Sequence, residues 1–271
     1  MSKSTPLIAE ARGTTQRVAR TFSLACRLLP KGLRDDVYLL YLVFRTLDDL
    51  VDEGQPEAAE RIAAVEAWCN GAVAPATLET TILYDLRRRH PIPADALRDF
   101  CAGMRHDLAG APLDTEDDVD RYCYQVAGTV GLVMAHMLGT DDPETAHPAA
   151  VALGMAMQRT NILRDVDEDA GNGRAYLAAD TVRRLGGSLA PGAREPIMRD
   201  QIARADALYE RGCAGIGQLR HGRRAIAAAA VMYREILRQI EREGYGASPG
   251  RAVVPRSRKL LLAARGGVLA R

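Results

Sequence analysis

The stretch from Val37 to Glu53, VYLLYLVFRTLDDLVDE, is apolar on nearly every side yet carries paired carboxylates. At about 100° per residue, four of its polar residues share an arc of roughly 60° on a helix: Tyr41, Arg45, Asp48 and Asp52. The apolar residues around that arc predict a largely buried helix. A buried carboxylate is costly unless it is paired or binds a metal. Asp48 and Asp52, one turn apart, are therefore candidates for holding a hard cation through oxygen.

A second acidic stretch, Met155 to Asp169 or MAMQRTNILRDVDED, repeats this arrangement later in the chain. Its amide and carboxylate residues share an arc of about 80° on one helix face: Gln158, Asn161, Asp165 and Asp169. Arg164 lies at the edge of that face, where a guanidinium can bind a phosphate with two hydrogen bonds. Asp167 and Glu168 are predicted to face solvent and have no assigned role. Two such faces across a helical bundle would leave a gap for a polyanion with bridging Mg2+.

Two other interpretations of these acidic clusters have to be considered, an ordinary ion pair and a di-iron site. Arg45 can form an ordinary ion pair with Asp48 or Asp49 on a solvated helix face. A di-iron bundle would instead require Glu-x-x-His pairs on facing helices. Neither acidic stretch contains such a pair, and the five histidines are not at ligand spacing, so iron is disfavoured.

The rest of the chain predicts an all-α protein. Apolar residues recur three and four apart, and good helix formers dominate. No alternating strand pattern or hairpin turn signal stands out. Gly and Pro breakers divide the chain into about ten helices. No long linker interrupts it, so we predict a single helical domain over residues 1–271.

The composition argues against several classes of protein. Lys and Arg number 36 against 35 Asp and Glu, so no global basic field exists for nucleic acid. The longest strongly apolar run, residues 225–233, is far shorter than the ~20 residues of a membrane span. The N-terminus has no apolar signal-peptide region. The five cysteines form no C-x-x-C pair. We therefore expect a cytoplasmic protein with neither a disulfide framework nor a zinc site.

Three segments, in order along the chain, resemble the squalene/phytoene synthase family of head-to-head prenyl diphosphate synthases. They are ARTFSLACRLLP at 19–30, which leads into YLVFRTLDDLVDE at 41–53, YCYQVAGTVGLVMAHMLG at 122–139, and QRTNILRDVDEDAGNGRAYL at 158–177, followed by Tyr233. Together they span about residues 15 to 260. The resemblance implies an isoprenoid-synthase-type bundle around a central cavity, Mg2+ as the cofactor and prenyl diphosphates as substrates.

The resemblance also implies roles for individual residues. The catalytic set would be Asp48, Asp52, Asp165, Asp169 and Tyr41. Mg2+ would be bound by Asp48, Asp52, Asn161, Asp165 and Asp169. The diphosphate would be held by Arg45, Arg164, Gln158 and the hydroxyl of Thr21. The prenyl pocket would be lined by Phe22, Cys26, Val126, Gly128, Leu132 and Tyr233. Cys26 is small, which would leave room for a longer C20 chain.

The expected reaction joins two prenyl diphosphates, C20 or C15, through a cyclopropyl intermediate. Departure of diphosphate leaves an allylic cation, which the double bond of the second substrate attacks. Fixed charges stabilise the leaving group, and a dry apolar channel keeps water from the cation. A phytoene-like product would end with proton loss, whereas a squalene-like product would require NADPH.

Two alternative functions remain from the sequence. A terpene cyclase on the same fold would ionise a single prenyl diphosphate. Val18 and Ala19 favour this alternative, because the family commonly has polar residues at these positions. A non-catalytic assembly member of the family ranks last, because both acidic faces are complete. Apolar substrates and products are compatible with peripheral contact at a membrane. The oligomeric state stays open.

Overall fold

The computed structural model describes residues 5–72, 74–255, 257–258 and 262. Within these residues the only β-type pairing is an isolated bridge between Thr140 and Leu219, so the all-α prediction is confirmed. Thirteen α-helices are present in the described residues. They are α1 Thr5–Val18, α2 Arg20–Cys26, α3 Lys31–Asp52, α4 Ala58–Cys69, α5 Leu78–Arg87, α6 Ala94–Ala109, α7 Glu116–Cys123, α8 Thr129–Leu138, α9 Pro143–Arg164, α10 Val166–Gly171, α11 Ala179–Arg184, α12 Glu195–Ala214 and α13 Arg223–Arg242.

Helix α3 carries the first acidic cluster and runs through the interior of the protein. Every residue from Asp35 to Leu40 is buried, as the apolar pattern of this stretch predicts. Gly54 follows the helix with a φ of 63°, the left-handed conformation that commonly ends helices. Because its partly exposed end holds Asp48 and Asp52, α3 passes from the core to a polar site.

Helices α8 and α9 pack backbone against backbone. A Cβ atom on Gly131 would overlap the carbonyl oxygen of Ala150, and one on Gly154 would overlap that of Ala127. Only glycine permits this approach, which explains two glycines in helices that they would otherwise weaken by about 1 kcal/mol each. A π-helical turn at Tyr124–Gly128 leads from α7 into α8. These contacts fix α8 beside the helix that carries the second acidic cluster.

Two large hydrophobic cores support the fold, beside a smaller cluster between α2 and α13. The first is built largely from α3, α4, α5, α6 and α8, and the second largely from α7, α9, α12 and α13. Val126 and Ile226 pack against both cores and also line a large cavity. The cavity therefore lies between the two cores. Among the described residues, no helix has both the length and the apolar character that crossing a bilayer demands.

The second acidic stretch is not one continuous helix. Helix α9 ends at Arg164, and Asp165 has φ −104° and ψ 11° before α10 begins at Val166. The prediction of an unbroken helical face from Gln158 to Asp169 is wrong at this point. Asp165 leaves the helical conformation, so the side chains before and after it belong to two separate helices.

Candidate active site

The cavity, of about 410 Å³, is polar at one end and apolar along the rest of its length. Asn161 lies at the polar end and Ala146 at the far end, and both belong to α9. At 1.5 Å per residue they stand about 22 Å apart along the helix. The polar end is formed by Arg45, Asp48, Gln158, Asn161, Arg164 and Arg251, and the far end by Leu138, Ala146, Ile216 and Leu219. The cavity can thus take a long apolar molecule with a charged head.

The structure brings most of the predicted site residues to this cavity. Its wall includes Phe22, Tyr41, Arg45, Asp48, Val126, Gln158, Asn161, Arg164 and Tyr233. Phe22 and Tyr41 contact each other with ring centroids 5.4 Å apart. The predicted residues outside the wall are Thr21, Cys26, Asp52, Gly128, Leu132, Asp165 and Asp169. The three aspartates adjoin the polar end through ion pairs and electrostatic contacts described below.

The structure corrects three of the predicted pocket residues. Cys26 is 1% exposed within the first core, where burial raises the pKa of its thiol to about 12. Gly128 is buried against the Met155 and Val151 side chains of α9, and Leu132 packs against the first core. The sequence interpretation missed this because the size of a side chain does not reveal which face of its helix meets the cavity.

In the first acidic cluster, arginine already pairs with the carboxylates. Arg45 donates a hydrogen bond of 2.8 Å to Asp48 and another to Asp49, so the ordinary ion pairs considered from the sequence do form. Its Nε atom is buried and has no partner. Burial, with the neighbouring charge of Asp52, raises the pKa of Asp48 to about 7. This part of the site favours additional positive charge near Asp48.

The second acidic cluster has the same character. Asp165 accepts a hydrogen bond of 2.8 Å from Arg164 and pairs with Arg251 at 2.8 Å. Burial, with the nearby charge of Asp165, raises the pKa of Asp169 to about 7. The Oδ1 atom of Asn161 is buried without a hydrogen-bond partner. An unpaired acceptor and crowded carboxylates both favour a cation here.

The two acidic clusters face each other across the site. Arg174, in the loop after α10, forms an ion pair with Asp52 of α3. The charge of Asp52 also raises the pKa of Asp169, and that of Arg174 lowers it. These three side chains are therefore close enough to interact, although they come from different parts of the chain. The sequence predicted that the two acidic faces would oppose one another across a gap. These contacts place the two clusters around one gap.

The site contains further residues that the sequence interpretation did not single out. Asp107 of α6 accepts hydrogen bonds from the Tyr122 hydroxyl at 3.0 Å and the Tyr176 hydroxyl at 3.2 Å. The two tyrosine rings stack with centroids 5.1 Å apart, and Tyr122 lines the cavity. Arg174 and Tyr176 lie in the GRAYL part of a family-like segment, which could have indicated them. Asp107 and Arg251 have no comparable signal in the sequence.

The donor set fits Mg2+, although the side chains are not arranged around an ion. In the described residues, no three His, Cys, Asp or Glu side chains converge closely enough to hold a metal. Asp48, Asp52 and Asp165 instead pair with arginines. The carboxylate oxygens and the unpaired Oδ1 of Asn161 are the hard ligands that Mg2+ prefers. Rotation of these side chains away from the arginines would supply such ligands.

Comparisons with known proteins agree with this geometry. Residues 15–258 match the family model described as squalene/phytoene synthase. The chain belongs to the squalene/phytoene synthase family. It is 42% identical to a phytoene synthase of Thermus thermophilus over 83% of this chain and 80% of that protein. It is 36% identical to a 15-cis-phytoene synthase of Synechococcus elongatus over 93% of this chain and 89% of that protein.

A solved structure shows the same fold over nearly the whole chain. A crystal structure of a dehydrosqualene synthase in complex with ligand superposes with a TM-score of 0.88 at 28% identity, covering 97% of this chain and 96% of that one. The chain is therefore a prenyltransferase, and its reaction is the head-to-head condensation of prenyl diphosphates. The cyclase and scaffold alternatives are not favoured.

Proposed function

We propose that the protein condenses two molecules of geranylgeranyl diphosphate to phytoene, using Mg2+ and no reductant. The observation that carries this proposal is the cavity, which follows α9 for about 22 Å from Asn161 at its polar end to Ala146 at its far end. Relatives named phytoene synthase, at 42% and 36% identity, support the same product. A cytoplasmic protein with peripheral membrane contact would suit an uncharged, water-insoluble product.

The polar end of the cavity would receive the diphosphate groups. Mg2+ would be held by Asp48, Asp52, Asn161, Asp165 and Asp169, and when bound it would neutralise charge on the leaving group. Arg45 has a buried, unpaired Nε–H to offer. Arg164, Arg251 and Gln158 line the same end and can donate further hydrogen bonds. Thr21 stays a candidate on α2, one residue before the cavity-lining Phe22.

The apolar wall would protect the allylic cation. Phe22, Tyr41 and Tyr233 line the cavity, and aromatic faces attract a cation through their quadrupole. Burial raises the pKa of Tyr41, so its hydroxyl stays protonated at neutral pH. The overall balance is two geranylgeranyl diphosphates giving phytoene, two inorganic diphosphates and two protons: one is lost when the cyclopropyl intermediate forms and the other at termination. The proton loss replaces the hydride that a squalene-like product would need.

The test is product analysis with separate substrates. Purified protein is incubated with farnesyl or geranylgeranyl diphosphate, with Mg2+ and with or without NADPH, and extracts are identified by mass spectrometry. We expect a C40 hydrocarbon with a conjugated triene from geranylgeranyl diphosphate, in a yield that does not depend on NADPH. A C30 product alone, or an NADPH-dependent one, would contradict the proposed substrate or termination. A C15 or C20 hydrocarbon or alcohol would instead support the terpene cyclase alternative, in which a single prenyl diphosphate is ionised.

A pair of matched variants tests the metal-binding role of the acidic clusters. Asp48→Asn should abolish Mg2+-dependent diphosphate release, because an amide oxygen replaces a charged ligand. Asp95→Asn changes the same atoms on a side chain that is 86% exposed and pairs only with Arg98 in the described structure, so its activity should equal that of the wild type. If both variants were equally active, Asp48 would not be a ligand of the metal in the proposed site.

A further inference from the structure

A buried guanidinium lies directly behind the second acidic cluster. The side chain of Arg194, at the start of α12, is only 2% exposed. It donates to both carboxylate oxygens of Asp167, at 2.5 and 2.9 Å. Asp167 stands between Asp165 and Asp169 and was predicted to face solvent. Because a buried charge without a partner is strongly destabilising, this bidentate pair has to be maintained in the folded protein.

Nη1 of Arg194 also donates to the carbonyl of Leu189 at 3.3 Å, and its two other donors hold a segment that follows α13. We call residues 246–255 the strap. Arg194 Nε donates to the carbonyl of Gly246 at 3.1 Å, and Nη2 donates to that of Ser248 at 3.4 Å. The amide of Gly250 in turn donates to Asp167 at 2.7 Å. The Asp167–Arg194 pair therefore fastens the strap at three backbone positions.

Close contact at the strap also depends on a glycine. Gly246 has a φ of 79°, and a Cβ atom on it would overlap the Arg194 guanidinium. Beyond the pair, Ala252 and Val254 are buried in the second core. The strap is thus held on both sides of one residue, Arg251, whose own side chain is half exposed.

Arg251 connects the strap to the active site. It lines the polar end of the cavity, and its Nε atom pairs with Asp165 at 2.8 Å. The residue immediately before it, Gly250, is the one whose amide is bound by Asp167. A shift of the strap would therefore move the Arg251 guanidinium relative to the cavity, while the other arginines stay on α3 and α9.

We propose that Asp167 and Arg194 are positioning residues for diphosphate binding, because through the strap they hold Arg251 at the polar end of the cavity. This inference rests on the proposed function, since it takes a diphosphate group as the ligand of Arg251. Asp167 and Arg194 do not touch the substrate. Their effect on the reaction passes through the backbone of the strap.

The test measures Mg2+-dependent binding of inorganic diphosphate to the full-length protein by calorimetry. Asp167→Asn should weaken binding roughly 10-fold, at the lower end of what loss of such an outer partner costs in comparable sites. Glu79→Gln is the matched control. The Glu79 side chain is 1% exposed and accepts two hydrogen bonds from Arg61, at 2.9 and 2.6 Å, away from the cavity. It should lose stability without losing diphosphate affinity.

The Arg251→Ala background separates positioning from a general structural effect. If Asp167 acts through Arg251, Asp167→Asn should cause no further loss of affinity once Arg251 is alanine. The kinetic counterpart is a raised KM for the prenyl diphosphate. Trypsin gives a readout independent of activity, since cleavage after Arg251, followed by mass spectrometry, should be faster in Asp167→Asn than in Glu79→Gln.

The outcomes distinguish this inference from the proposed function. A wild-type protein that binds no diphosphate would overturn the proposed function and this inference with it. If the wild type binds diphosphate and Asp167→Asn binds it with unchanged affinity, the inference alone is overturned. The same holds if Asp167→Asn loses as much affinity in the Arg251→Ala background as it does in the wild type. If Asp167→Asn does not fold, the same binding measurement is made on Gly246→Ala. It displaces the strap without changing a charge and should weaken diphosphate binding only where Arg251 is present.

Discussion

Replacing Ala146 with phenylalanine should shorten the substrate that the protein accepts. Ala146 is 2% exposed and lines the far end of the cavity, on the helix that also carries Asn161. A phenyl ring there would occupy the space assigned to the last five-carbon unit of a C20 chain. At about 0.8 kcal/mol per buried CH2 group, excluding five carbons costs about 4 kcal/mol. Since each 1.4 kcal/mol is about tenfold, discrimination against C20 should reach roughly 10³.

The assay is a competition between farnesyl and geranylgeranyl diphosphate in one reaction, read as the ratio of C30 to C40 hydrocarbon. Ala146→Gly is the matched control, because it changes the same position and leaves the cavity open. Ala150→Phe lies one turn closer to the polar end, about 6 Å along α9. It should reduce the use of C15 as well. The reasoning fails if folded Ala146→Phe keeps the wild-type product ratio.

Three further predictions concern stability and the metal. Gly131→Ala should lower the free energy of unfolding by about 1–3 kcal/mol, measured in urea, because its Cβ would overlap the Ala150 carbonyl. Burial, with the adjacent His147 ring, lowers the pKa of His136 below its ordinary 6.5. The neutral ring therefore contributes stability above pH 6.5 that is lost as the pH falls through the lowered pKa. Tm should consequently fall less in His136→Gln than in the wild type between about pH 7.5 and pH 5. Chelation by EDTA should stop diphosphate release, and added Mg2+ should restore it, in a pyrophosphate assay.

Each of these predictions has a control or a result that would contradict it. Gly217→Ala places a Cβ in open space, so it should leave the unfolding midpoint almost unchanged. A similar loss in Gly217→Ala and Gly131→Ala would contradict the packing argument. Identical pH profiles for wild type and His136→Gln would mean that this histidine does not contribute. Full activity in EDTA would remove the metal from the proposed mechanism.

Much of the fold was predictable because its signals are local. Burial of α3 and the direction of its carboxylates follow from angular spacing within one helix, so the apolar stretch around Asp48 was enough to predict both. The same argument worked for Asn161. It failed at Asp165, where the helix is interrupted, because angular spacing assumes a continuous helix.

Residues joined only by tertiary contacts were beyond such reasoning. Asp107 reaches Tyr122 and Tyr176 from another helix. Asp167 was predicted to face solvent because, on one continuous helix from Gln158 to Asp169, it would point away from the acidic face. Its partner Arg194 comes from the start of α12, and no spacing within the stretch could have indicated it.

The pairing of carboxylates with arginines affects how a substrate approaches the site. The arginines that contact the acidic clusters are Arg45, Arg164, Arg174 and Arg251. These four guanidinium groups offset most of the negative charge of Asp48, Asp49, Asp52, Asp165 and Asp169, so an approaching anion meets less repulsion than the carboxylates alone would exert. Selectivity for the diphosphate arises after contact, when the guanidinium groups exchange aspartate oxygens for phosphate oxygens.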